Sequence, residues 1–437
     1  MKTFRRILVL TVAAGLLQPL NASVPAQLDW QSALQLAMEN NYSLRRAQAT
    51  VEEAGGQTMS ARSGRMPSVS LNAAYSRLDD NLLEDLGGNA FGDTESWNTG
   101  VQASQPLFTG GAIKAGIESA EALELSEQAN YDQVTQDTML RLHQAWYAVL
   151  LAKDVVTVRE ESIDLLEKQL KITSERFDAG TVSRFEVLRA EVALANGKPP
   201  LIRARNQYRL AIVDLLQVIG LESDESAQPE IIGELTYPDT DPNLSDALYT
   251  AKRNRPEFRS IDQAIVSADA NVRSVRSGKR PNVNLVAGYG IQKSSFSDSF
   301  DDSIHGWTVG VQGSWKIWDS KSTDGQVISA KSRLRQLELA RQELDLQVGS
   351  QVRQALSSVQ EARELVESSR KVVEQASEVL VLAEDRYAIG SAIQLEVYEA
   401  ELALTEARTN EIQALHDFNL ALAAFERATG TITAGLL

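Results

Sequence analysis

Ala61-Arg-Ser-Gly-Arg-Met-Pro-Ser-Val-Ser-Leu-Asn-Ala-Ala-Tyr75 returns 214 residues later as Val275-Arg-Ser-Gly-Lys-Arg-Pro-Asn-Val-Asn-Leu-Val-Ala-Gly-Tyr289, with eight of fifteen positions identical. A match of that length marks an internal duplication, and the reading of one copy constrains the other. Further on the spacing becomes 210: Trp97 answers to Trp307, Gly100 to Gly310, Gly180 to Gly390 and Gly220 to Gly430. The change of four residues falls between Asp79 and Glu95, which marks that segment as a surface loop. The first repeat is expected over residues 27–221 and the second over 244–431. A linker at 222–243, rich in Asp, Glu, Ser and Pro, joins them, and a short tail occupies 432–437.

The quoted stretch holds a change of period. Before it, Trp30 to about Ala61 and Leu244 to about Val275 read as amphipathic helices, ended by Gly64 and Pro67 in one copy and Gly278 and Pro281 in the other. After it the pattern alternates. Val69, Leu71, Ala73 and Tyr75 take one side and Ser68, Ser70 and Asn72 the other, and Val283, Leu285, Ala287, Tyr289 and Ile291 repeat the apolar side. Strands are expected at about 67–79, 97–108, 281–292 and 306–318. Strands of about 10 residues with one apolar and one polar face are the signature of a membrane β-barrel. Trp97, Trp307, Trp315 and Trp318 are candidates for the membrane–water boundary, with packing against the helical domain the alternative, above all for Trp315 and Trp318.

Long helices follow, at about 112–178 and 326–388. Residues 117–179 contain neither Gly nor Pro, a run of 63 residues, which would extend about 95 Å. Leu142, Val149, Val156, Ile163, Leu170 and Phe177 recur every seven residues, as do Val352, Val359, Val366, Val373, Leu380 and Tyr387. A seven-residue period winds packed helices into a left-handed supercoil. Three residues on, the seam of the second copy is small: Ala355, Ala362, Ser369, Ala376 and Ala383. Such seams suit a wide ring of helices, although an ordinary antiparallel coiled-coil hairpin has the same period. Trp146 reads as a core residue. Gly180 and Gly390 end the long helices, and return helices are expected at about 184–219 and 394–428. Gly197-Lys-Pro-Pro200 predicts a break or kink near Pro199 in the first copy alone.

The start of the chain reads as an export signal over residues 1–26, with Lys2, Arg5 and Arg6 before the apolar run Ile7 to Leu20. Net charge is −16. Removing that segment with its three cations takes it to −19, which argues against nucleic-acid partners. There is no Cys, and His143, His305 and His416 are scattered. Disulfides, thiol chemistry and a histidine metal site are therefore not expected, and neither is a cofactor. No Ser/His/Asp order and no phosphate-cradling Gly loop is present, so an enzyme is not expected. Beyond the signal no run of about 20 apolar residues exists, and passage through a membrane would have to use strands. Four strands cannot close, so other chains must complete the barrel; two chains would give a filled interior and three a passage. Physics alone does not choose between them. A periplasmic coiled-coil adaptor or scaffold is the rival reading.

Other motifs make the resemblance specific by their order: Gln105-Pro-Leu-Phe-Thr-Gly-Gly111, Gln144-Ala-Trp-Tyr-Ala-Val-Leu150, and the turns Arg176-Phe-x-x-Gly-Thr with Glu186-Val-Leu-x-Ala-Glu191 and Arg386-Tyr-x-x-Gly-Ser with Glu396-Val-Tyr-x-Ala-Glu401. Over nearly all of its length the chain resembles the TolC-like outer-membrane efflux channel family. The resemblance implies a mainly α fold with β: a homotrimer whose twelve-stranded barrel lies in the lipid of the Gram-negative outer membrane, on an α-helical barrel in the periplasm. It implies export as part of a tripartite efflux or type I secretion system, with a periplasmic adaptor and an inner-membrane transporter as partners. It makes Glu396 and Glu399 candidate gate carboxylates, with Glu186 and Arg189 their counterparts in the first copy. Arg189 is expected to partner a tip carboxylate and hold the closed state, while the plainer reading is that acids favour the first turn of a helix. Gly180, Thr181, Ser183, Gly390 and Ser391, at the exposed tips, become candidates for adaptor contact. One departure is Asp319-Ser-Lys321 in place of Thr109-Gly-Gly111, which leaves the turn there open.

Overall fold

The computed structural model describes residues 25–77, 79, 95–222, 228–293 and 303–432. The expected signal segment, apart from residues 25 and 26, lies outside them, as do most of the loop around 80–94 and of the tail. Strand β1 (Gln27–Asp29) leads into α1 (Trp30–Asn40) and α2 (Tyr42–Ser63), then β2 (Ser68–Arg77), β3 (Glu95–Phe108), the long helix α3 (Ala112–Asp178) and the return helix α4 (Arg184–Ile219). The second half runs β4 (Glu230–Ile232), α5 (Leu244–Asn254), α6 (Pro256–Arg276), β5 (Asn282–Lys293), β6 (Ser303–Ser314), α7 (Ser322–Ala388) and α8 (Gln394–Thr429). Both long helices have 67 residues and both return helices 36, at a constant offset of 210.

Each opening helix divides in two. Asn41 breaks the first: its backbone is extended, and its side chain accepts from the N–H groups of Ser43 and Leu44 to start α2. Arg255 breaks the second because Pro256 follows it and disfavours a helical conformation there. The return helices end on these breaks. Gly220 and Gly430 both have left-handed backbone, and an added β-carbon would strike Asn40 or Asn254.

The four long strands form one antiparallel sheet in the order β2-β3-β5-β6. Its register sets Leu71, Val101, Tyr289 and Trp307 in one row, with Gln102, Gly288 and Thr308 in the next, so one face is apolar and the other polar across all four strands. The third strand continues to Phe108 against β5, with a register shift between Pro106 and Phe108 where proline supplies no donor. The equivalent strand β6, expected to reach about residue 318, stops at Ser314. It is an edge strand, and among the described residues no strand lies beside residues 315–318. The long helix after it begins at Ser322, four residues before the expected start.

The turn left open by Asp319-Ser-Lys321 resolves to that of the first copy. Gly110 and Gly111 have φ of 64° and 96°, and Ser320 and Lys321 have 53° and 68°. The second copy keeps the left-handed pair without glycine and caps α7 by the Asp319 carboxylate, which accepts from the Thr323 N–H at 2.9 Å. Of the break or kink expected near Pro199, the break does not occur: α4 is helical through Pro199 and Pro200. The carbonyls deprived of a donor belong to the exposed residues Ala195 and Asn196, which water can satisfy. Gly197 meanwhile lets the helix approach Ile163 and Leu166 closely.

The helices form a linear order. The first hairpin pairs α4 with α3, the second pairs α8 with α7, and α3 lies against α8. The main core sits midway: Leu142, Trp146, Val149 and Leu150 of α3 meet Ile212, Leu215, Leu216 and Ile219 of α4 and Leu28 and Ile231 of the paired strands β1 and β4. Beside it, Arg427 binds Glu257 at 2.8 Å and Asp137 at 2.7 Å, and Arg255 binds Glu257 at 2.7 Å, tying α8 to α3 and α6.

Candidate functional site

The helical tips gather the candidate residues. In both, the hydroxyl after the turn glycine donates to the carbonyl that its own N–H also reaches: Thr181 to Arg176 and Ser391 to Arg386. Thr181 and Ser391 thus hold the turn together. Ser183 carries no capping hydrogen bond and is exposed. Around the turns Ile389, Ile393 and Phe185 are exposed, Ile389 by 80%.

The four gate candidates sit differently from one another. Glu396 is engaged within its own tip, accepting from the Ile393 N–H at 3.4 Å and pairing with Arg386 at 3.1 Å. Glu399 is exposed one turn further along α8. Glu186 keeps one carboxylate oxygen buried without a hydrogen-bond partner. Arg189 lies over the Phe185 ring at 5.8 Å, and among the described residues it forms no ion pair within the chain. The arginine that does meet a tip carboxylate is Arg386.

Sequence reasoning missed the contacts that join the two hairpins. Gln394, only 2% exposed, donates to the Thr173 hydroxyl at 2.7 Å and to the Tyr398 hydroxyl at 2.8 Å, and Thr173 donates onward to the Gln169 carbonyl. Arg176 covers the Tyr387 ring at 4.7 Å. A signal was present: Thr173 is a polar residue three positions after Leu170, on a seam where Ala145 and Ala152 stand at the same place. Glu401 lies in the same band, 7% exposed with one oxygen unpartnered. Burial pushes its carboxyl up to about 7, and the nearby Glu384 charge adds to the shift. Burial also raises the Tyr398 phenol, helped by the charges of Glu401 and Glu186 and opposed by Arg189. Unpartnered buried atoms on Gln169, Tyr387 and Gln394 complete the band.

At the opposite end of α7 from its tip, Trp307, Trp315 and Trp318 are exposed around β6, whereas Trp146 is buried in the core. Trp315 donates its indole N–H to the Lys279 carbonyl at 3.1 Å. Among the described residues no helix is long and apolar enough to cross a membrane, and no cluster of three or more His, Asp or Glu side chains could hold a metal ion.

The sequence profile of outer membrane efflux proteins matches residues 33–221 and 247–431, one stretch in each repeat. The chain belongs to the outer membrane efflux protein family. It is 25% identical over 411 residues to the outer membrane efflux protein BepC of Brucella suis, covering 93% of this chain and 86% of that one. To the outer membrane protein TolC of Escherichia coli it is 25% identical over 423 residues, covering 91% and 81%. Among solved structures, the CmeC outer membrane channel of Campylobacter jejuni aligns with a TM-score of 0.77 at 17% identity, covering 92% of this chain and 85% of that one. The open MtrE outer membrane channel of Neisseria gonorrhoeae aligns at 0.75 with 21% identity and 94% coverage of both. This outer membrane efflux protein thus shares the fold of outer-membrane channels.

Proposed function

We propose that this outer membrane efflux protein is one of three identical subunits of a channel that carries substrates from the periplasm, or from an inner-membrane transporter, to the exterior. The observation that carries the reading is the position of its unfinished surfaces. The sheet order leaves β2 and β6 as open edges. The helix order leaves α4 and α7 as outer members, and these carry exposed apolar residues at helical spacing: Phe185, Leu188 and Val192 on α4, and Leu365, Val372 and Val379 on α7. Both layers therefore end on the same two sides, and joining β6 and α7 of one copy to β2 and α4 of the next closes sheet and helices together. Unpaired strand edges in hydrocarbon cost several kcal/mol for each backbone group, so closure is required in a membrane. Three copies give twelve strands with the apolar face outward and the polar face toward a water-filled lumen.

The tips then meet around the axis. Glu399 and Glu396 of three copies form rings of like charge that narrow the periplasmic opening, with Glu186 and Arg189 beside them and Arg189 within reach of a neighbour's carboxylate. Gly180, Thr181, Ser183, Gly390 and Ser391, with the exposed Ile389 and Phe185, offer a surface for a periplasmic adaptor that links the tunnel to a transporter.

The repeat supplies a test. Val101 faces Tyr289 across β3 and β5, and their counterparts at offsets of 210 and 214 are Val311 and Tyr75. Tyr75→Cys and Val311→Cys together, in a chain that has no other cysteine, are expected to yield oxidised dimers and trimers in the outer-membrane fraction. Monomers found only in the soluble fraction would remove the proposal.

A further inference from the structure

Arg176 and Arg386 occupy equivalent places 210 residues apart, as do Phe177 and Tyr387, and Glu186 and Glu396. Inside one chain Arg176 covers the Tyr387 ring of the adjacent hairpin, while the carboxylate ten residues after it, Glu186, has an oxygen left without a partner. Arg386 does the opposite. Its side chain, more than half exposed, folds back on the carboxylate ten residues after it, Glu396. Phe177 is itself exposed and has no cation over it among the described residues. One motif is thus present in two arrangements, and the difference is whether another hairpin stands beside the arginine.

We infer that Arg386 is an inter-copy latch: when the next copy docks, its guanidinium leaves Glu396 and covers the Phe177 ring of that copy. This rests on the trimer reading. In that assembly α7 meets the next copy's first hairpin as α3 meets α8 within the chain, and the 210-residue offset maps the Arg176–Tyr387 contact onto Arg386 and the neighbouring Phe177. Arginine suits both roles, since its planar cation binds a carboxylate or lies flat on a ring. The exchange has an electrostatic consequence. Released from Arg386, Glu396 keeps its charge near Glu399 without that counterion, while the net charge of the tip is unchanged.

Phe177→Ala, Arg386→Ala, the double variant and Phe177→Tyr are compared as SDS-resistant oligomers in planar bilayers. Each alanine variant is expected to raise the open-to-closed ratio by about 2- to 5-fold per stack, the equivalent of an exposed cation–aromatic contact. The double variant should exceed neither single one, and Phe177→Tyr should behave as the unaltered channel. Alanine variants that match the unaltered channel, or a double variant whose ratio is the product of the two singles, would overturn the latch while leaving the trimer standing. Absence of oligomers in the unaltered protein, together with failure of the Tyr75–Val311 cross-link, would overturn both.

Discussion

A β-carbon on Gly220 would lie 2.5 Å from the carbonyl oxygen of Asn40. The end of the first return helix is therefore seated in the break of the first opening helix, and Asn41 fastens it by donating to the Val218 carbonyl at 2.7 Å. Gly220→Ala adds a backbone clash to a residue whose φ is 93°. It is expected to destabilise the fold by at least about 2 kcal/mol, read as a lower thermal midpoint by circular dichroism. A midpoint equal to that of the unaltered protein would mean that this junction gives way easily.

The second copy offers the converse experiment. Lys321 holds a left-handed backbone that glycine would adopt without strain. Lys321→Gly is expected to stabilise by about 1 kcal/mol, whereas Gly111→Lys at the equivalent place in the first copy should destabilise. Denaturant midpoints that move the same way for both changes would contradict the equivalence of the two turns.

Between the hairpins, Gln394 and Thr173 form a buried pair, and removing one partner strands the other. Thr173→Val or Gln394→Leu alone is expected to cost about 1–3 kcal/mol, and the two together less than their sum. A double-mutant cycle on denaturant unfolding measures the coupling. Strict additivity would show that the contact does not join the hairpins energetically.

Glu401 makes stability depend on pH. Its carboxyl is raised from 4.5 to about 7 in the fold, so the folded chain binds the proton more tightly than the unfolded one. Stability is then highest below the unfolded value and declines as pH rises through the window from about 4.5 to 7, by an amount on the order of 3 kcal/mol at most. Glu401→Gln should match the unaltered protein at pH 4.5 and exceed it at pH 8. Parallel melting curves at both values would show that the carboxyl is not held this way.

Much of this was legible because it is periodic. Val69 to Tyr75 alternates, Leu142 to Phe177 repeats every seven residues, and the glycines at 180, 220, 390 and 430 mark where helices stop. The splits at Asn41 and Arg255 were not read, although Asn41 is an N-cap residue type and Arg255 precedes a proline, because the amphipathic pattern runs on across both. The end of β6 at Ser314 was not legible either. Its sequence is as strand-like as that of β3, and what differs is a neighbour inside the chain. At the tips, Glu396 and Glu186 stood out as charges, but the residues that tie the hairpins together are the less conspicuous Thr173, Gln394 and Tyr398, whose roles follow from packing.

Charge at the tips supplies a last test. Glu399 is exposed near the start of α8, and in a threefold ring its removal should lower the preference for cations. Glu399→Gln is expected to reduce the cation-to-anion permeability ratio in planar bilayers, and Arg189→Ala to raise the open probability. If neither quantity changes, these residues are not part of the constriction.

The equal lengths of the two long helices, 67 residues each, make the molecule a gauge about 100 Å long. Its reach cannot be adjusted in one place. Adding a single turn to α3 would throw its seam out of step with α4 and α8, and only whole seven-residue blocks inserted at matching levels of all four helices would preserve every contact. A lineage facing a wider gap between its two membranes would therefore have to lengthen this protein in coordinated steps of about 10 Å, and intermediate sizes should be rare.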